Sequence, residues 1–420
     1  MSCTVFKSTN TVDQSINVFP IPNMLSQLRI LRNYDSATGS TYNFFYEQPS
    51  VFKCVGGKLS IDGGLTFFTE LTITGATNVQ FILDENREYG YLAWDKVNAL
   101  QGTNIGAGAY PDYSLGLHCE SPELYRICAD SPFFNQRVDQ WDVKNTTDFA
   151  FAFVECANFN RSISHLNTEN ALTFKGMFLG CLKFNQPIDT LKSSKVTDFS
   201  FFLSNAISFN QPINIDTSSG LYFGFFLQGT KNFNQDLSGL NTSNALDMNR
   251  MFANSVFNSK PPQNTSKVKS FEAMFAGNRV FNQPLVIDVQ SSENFLWMFR
   301  DTSAFNQDIS EWNIRKCLNF TEMFFGATSF NQDLSKWCNK FNMNAVFGDM
   351  FNNSGLSTEN YDKFLNALWL DVGTTRQSEW ANRSLSKFLY LEGKKYSQAG
   401  AQARSNLIGA GWSITDGGQA

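Results

Sequence analysis

Only two histidines, His118 and His165, occur in this chain of 420 residues, and neither sits in a spacing that catalysis or metal binding uses. Neither is accompanied by a GxSxG elbow, an HExxH helix or a phosphate loop. His118 reads as a loop residue and His165 as a polar position of a repeat. Eight cysteines form no CxxC pair and no Cys/His ligand quartet. Cys156 and Cys181 stand three residues before Phe159 and Phe184 and read as small buried apolar side chains in neighbouring repeats, a disulfide being the alternative. Asp84, Asn86, Glu88 and Asp95 approach the spacing of a calcium loop, but Tyr89 occupies the position where the sharp turn needs glycine, so a polar hairpin turn is expected. Gly106-Ala-Gly108 lacks the third glycine of a dinucleotide fingerprint and reads as a loop. Asp236, Asp308 and Asp333 could pair as a glycosidase requires, but they recur with the repeat and are read as structural. The expectation is a protein that is not an enzyme, with no catalytic residue, cofactor or metal.

The elements that would position such residues follow from a repeat. A Phe-Asn pair returns every 24 or 25 residues, as Phe134-Asn135, Phe159-Asn160, Phe184-Asn185, Phe209-Asn210, Phe233-Asn234, Phe257-Asn258, Phe281-Asn282, Phe305-Asn306 and Phe330-Asn331. A fixed period of this length means a solenoid, in which each coil packs on its neighbours and cannot bury its apolar face alone. Ten and six residues ahead of most pairs stand two further apolar positions, such as Phe149/Phe153, Phe271/Phe275 and Phe320/Phe324. Apolar groups at Phe320, Met323 and Phe324 predict a short helix, and Phe330, Leu334 and Trp337 an extended segment, so each coil is expected to be one helix and one strand. The Asn side chain both donates and accepts, which suits a ladder from coil to coil. At Phe257 the inward aliphatic is replaced by Pro261-Pro262, where a local irregularity is expected.

The fold class read from these patterns is an α/β repeat solenoid, leucine-rich-repeat-like, between two other units. Residues 1–125 lack the repeat and read as an antiparallel β domain, with strands at Lys58–Asp62, Leu65–Thr74, Val79–Leu83 and Tyr91–Trp94. Residues 126–355 form the solenoid of about nine repeats. Residues 356–420 read as a helical cap, with a helix from Thr358 capped by Ser357 or Thr358 and a second from Gln398 to Ile408.

The units Phe305-Asn-Gln-Asp-Ile-Ser-Glu-Trp312 and Phe330-Asn-Gln-Asp-Leu-Ser-Lys-Trp337, each after a Met-Phe pair, resemble the BspA-like surface-protein repeat of the mycoplasma lipoprotein type. The resemblance covers about residues 133 to 352. It implies a leucine-rich-repeat-like solenoid for contact at a surface, without catalysis; such repeats also occur in large DNA viruses and bacteriophages.

A net charge of -5 with no Lys/Arg block argues against a nucleic-acid partner. No run of 18 apolar residues predicts membrane insertion, and Met1 to Lys7 opens no apolar export segment. The sequence therefore points to a virion-surface component, serving capsid decoration or host attachment, with a cell-surface adhesin as the alternative. A carbohydrate-active enzyme on the same scaffold would need clustered, non-repeated carboxylates. Expected partners are particle or surface proteins, host glycans or a receptor, and a second copy of the chain.

Overall fold

The protein is described by a computed structural model, which covers segments between Ser26 and Cys119 and runs from 124 to 420 apart from residue 140. Eight strands precede the repeats: β1 (Ser26–Leu31), β2 (Thr41–Tyr46), β3 (Ser50–Val55), β4 (Gly57–Ser60), β5 (Glu70–Ile73), β6 (Thr77–Leu83), β7 (Tyr89–Trp94) and β8 (Gly116–Cys119). They make a sheet in the order β5-β3-β7-β1-β8, extended by β9 (Trp141–Asp142), and a second sheet in the order β2-β6-β4. Every pairing is antiparallel except β8 with β9, where Leu117 faces Trp141 and the sheet passes into the repeats.

The long strand expected at Leu65–Thr74 is reduced to β5. The carboxylate of Asp62 accepts from the backbone N–H groups of Leu65 (3.0 Å) and Thr66 (2.9 Å) and from the Thr66 hydroxyl, which curls the chain before it can pair. These bonds hold the Asp62 carboxyl well below its usual range. Leu65 (83% exposed) and Phe67 (50% exposed) consequently stand out into solvent.

From Leu124 onward each repeat is a stack of overlapping β-turns. The helix expected in each coil is absent among the described residues 124–334, and apart from the two-residue β9 the partner segment is not a paired strand; the parallel bridges between coils, from Asp148↔Thr173 to Asn319↔Val346, are isolated rather than joined into ladders. The reason lies in backbone sign. Phe151 and Glu155 carry φ of 56° and 57°, closing turns in which Ala152 N bonds Phe149 O (3.2 Å) and Cys156 N bonds Phe153 O (3.1 Å). Two left-handed residues four apart break any helical run. They also turn the alternate N–H groups of Phe149, Phe151, Phe153 and Glu155 onto the carbonyls of Thr173, Lys175, Met177 and Leu179 in the next coil, at 2.7–3.3 Å.

The core is a column of phenylalanines. Phe134, Phe159, Phe184, Phe209, Phe233, Phe257, Phe281, Phe305 and Phe330 are all fully buried. Each stacks on the next at centroid distances of 5.6–6.2 Å. A second column, including Phe252, Phe275, Phe299, Phe324 and Phe351, packs against it, with Phe275 only 4.0 Å from Phe281. The irregularity expected at Pro261-Pro262 is confined to length: the bridge residues Asp247 and Ser270 are 23 apart, while Phe257 keeps its place in the column. No strand ladder runs through that segment, so proline removes no donor from one.

The last coil is followed by α1 (Thr358–Leu370), α2 (Gln377–Ala381), β10 (Phe388–Leu391), α3 (Gln398–Gly409) and β11 (Ser413–Asp416), with β10 and β11 parallel. Ser357 caps α1 by accepting from Asn360 N. Three buried charge clusters tie this region together. Arg376 pairs with Asp371 (2.6 Å) and donates to Phe341 O and Cys338 O, Arg404 pairs with Asp416 (2.7 Å), and Asp362 accepts from Ser397.

Candidate binding face

The Phe residues singled out by the repeat cannot meet a ligand, because all of them lie inside the column. The Asn residues beside them do reach the surface, and their geometry is specific. The Oδ1 of Asn135 accepts the backbone N–H of Asn160 (2.9 Å), Asn160 does the same for Asn185 (3.0 Å), and the series continues through Asn210, Asn234, Asn258, Asn282, Asn306 and Asn331. The ladder is thus side chain to backbone rather than amide to amide. Where glutamine follows, as at Gln186, Gln235, Gln307 and Gln332, its Nε2 donates to the same Oδ1, saturating it. At the C-terminal end Ser357 N and Asn360 Nδ2 occupy these two donor positions on Asn331, so α1 begins by imitating one more coil.

The recurring carboxylates cap turns. Asp236, Asp308 and Asp333 accept from the N–H groups of Ser238, Ser310 and Ser335 at 2.8–2.9 Å. His165 is an exposed turn residue; His118 falls in β8, its side chain outside the described residues, as are Asp84, Asn86, Glu88, Asp95 and Gly106-Gly108. Cys156 and Cys181 are free and buried, each thiol donating to a carbonyl of the preceding coil, Cys128 O and Phe153 O. Burial pushes both thiols up, and Cys317 to about 12, so none is a ready nucleophile. No group of three His, Cys, Asp or Glu among the described residues could hold a metal ion.

A different row of side chains escaped the sequence reading. The first left-handed position of successive coils carries Phe151, Gly176, Phe201, Phe225, Arg250, Ala273 and Trp297, with φ between 51° and 61°. For a phenylalanine or tryptophan this backbone is a genuine outlier. Phe151, Phe201, Phe225, Arg250 and Trp297 are half-buried and lie on the outside of the stack. Phe201 and Phe225 stack at 4.3 Å; the Arg250 guanidinium lies 5.6 Å from the Phe225 ring and 5.8 Å from Trp297; Arg300 lies 5.6 Å from Trp297 and 4.5 Å from Phe325. Gly176 leaves room for the ring of Phe151, whose Cδ1 would sit 2.4 Å from any added Cβ. Acids pair with the cations: Glu272 with Arg250 (3.5 Å), and Glu322 and Asp301 (3.5 Å) with Arg300. Beside them burial and the nearby Glu272 raise the pKa of Asp247.

Stacked turn units with a hydrogen-bonded amide edge and an aromatic–arginine row define a repeat protein whose surface features run along its length. Residues 123–220, 192–263 and 260–364 match the family described as Mycoplasma protein of unknown function, DUF285, and the chain belongs to that family. This membership is consistent with the BspA-like resemblance. No curated protein and no solved structure matches the chain.

Proposed function

We propose that this is a non-enzymatic surface-contact protein, a leucine-rich-repeat-like solenoid that displays a binding face. The observation that carries the reading is the outer row: Phe151, Phe201, Phe225 and Trp297 stand where glycine is the unstrained choice. Bulky aromatic side chains kept half-exposed on a strained backbone support a role in contact. The carboxylates that recur are engaged with turn N–H groups, which supports a structural role for them rather than a glycosidase pair.

In this reading the segment before residue 126 attaches the molecule and the solenoid faces outward, toward a protein receptor or glycan. The exposed Leu65 and Phe67, held out by Asp62, are apolar anchors suited to a pocket on a partner. We favour a virion as the surface, serving decoration or host attachment, and hold a cell-surface adhesin as the second reading. Mass spectrometry of purified particles against envelope and cytosolic fractions tests this. Recovery in particles at stoichiometric level is expected; recovery only in a cell envelope moves the assignment to an adhesin, and turnover of a polysaccharide by the purified chain contradicts the non-enzymatic claim.

A further inference from the structure

We infer that the row formed by Phe201, Phe225, Arg250, Trp297 and Arg300 is a site for a linear, uncharged oligosaccharide. The inference rests on the surface-contact reading and names its ligand class. Bulk at this row is not demanded by the fold. Gly176 and Ala273 occupy the same left-handed position and keep the same inter-coil bonds, Gly176 N to Ser200 O (2.8 Å) and Ala273 N to Leu296 O (2.7 Å). The rings and guanidinium planes therefore contribute something other than backbone pairing.

Shape and charge narrow what that is. The row is narrow, taking one side chain from the coils of Phe201, Phe225 and Arg250 and two, Trp297 and Arg300, from a fourth, and it is continuous from Phe201 to Arg300 through contacts of 4.3–5.8 Å. Protein hot spots gather instead into compact patches sealed by a surrounding ring. Both cations are already paired, Arg250 with Glu272 and Arg300 with Glu322 and Asp301, so a charged polymer of either sign meets a like charge. Hydroxyl groups both donate and accept, and can use guanidinium N–H and carboxylate oxygen together, while the C–H groups of a sugar ring meet apolar carbon at the ring edges, the ring faces being covered by their neighbours in the row. A chain of neutral sugars lying across the coils satisfies all of these conditions.

The test places the full chain, Trp297→Gly and Arg300→Gln on a printed array of neutral, sialylated and sulfated oligosaccharides, with melting temperatures and binding to purified particles and cell envelopes measured on the same samples. The expected result is retention on neutral oligosaccharides that added salt does not weaken, reduced roughly tenfold or more in both variants at unchanged melting temperature. Arg300 lies off the strained position, so its variant decides the matter if Trp297→Gly unfolds. Retention only on charged glycans, no retention on any glycan, or full retention by Arg300→Gln overturns the inference. Empty glycan spots with envelope binding that both variants lose would assign the row to a protein partner. Failure of the wild type to bind particles, envelopes and glycans alike would remove the surface-contact reading itself.

Discussion

Asn234 shows what the residue after each phenylalanine does: its Oδ1 holds the N–H of Asn258 at 2.7 Å across 24 residues of chain. Replacing it with alanine leaves that N–H, on an exposed edge, to water, so Asn234→Ala is expected to lose about 0.5–1.5 kcal/mol, while Asn234→Asp keeps an acceptor and loses less. Denaturant midpoints of the two variants check this. Asp247 offers a pH-dependent counterpart. Because its pKa is raised in the folded protein by burial and Glu272, folding holds the proton more tightly than the unfolded chain does. The site therefore favours folding below the ordinary value of 3.8, and that contribution fades as pH rises through the raised value. Asp247→Asn is predicted to melt higher than wild type at neutral pH, with the gap closing as pH falls to the ordinary value; a gap that widens in acid contradicts it.

Within a coil, the apolar period was legible in the sequence but its conformation was not. Phe320, Met323 and Phe324 have helical spacing, yet overlapping turns put residues three and four apart on one side as a helix does. What decides between them is the sign of φ at Glu322 and Gly326, a choice the sequence marks with glycine only in some coils. The buried residues Phe202 and Phe226 went unread for the same reason, since a helical frame assigns their positions to no column. A ladder of buried hydroxyls, with Thr217 donating to Asn241 O and Thr242 to Asn264 O, was hidden because serine and threonine alternate at an irregular offset. In the C-terminal region α1 and α3 could be read from their caps and apolar spacing. The pairing of β10 with β11 could not, being fixed by contacts distant in sequence. Because Ser357 and Asn360 continue the Asn ladder onto Asn331, Asn360→Ala is expected to cost about 0.5–2 kcal/mol by loosening the junction. Faster hydrogen exchange confined to the coil of Asn331 and the start of α1 is the predicted signature.

Across the whole molecule, the nine Phe-Asn units act as a one-dimensional array, and truncating a central inward ring breaks contacts on both sides. Phe275 packs against Phe252, Phe281 and Phe299, so Phe275→Ala is predicted to lose about 3–5 kcal/mol. Function in this account is assigned to side chains that the array does not need. Phe225 and Phe226 put that claim to the test at adjacent positions, since Phe226 is fully buried and Phe225 is half-buried in the strained outer row. The most direct measurement is the unfolding free energy of full-length Phe225→Gly beside Phe226→Ala. Phe226→Ala should lose about 3–5 kcal/mol. Phe225→Gly should change stability by no more than about 1 kcal/mol, because relief of the left-handed strain offsets the lost ring stacking. An equal loss in both would mean that the outer row holds the array together, and would contradict its assignment as a face kept for a partner.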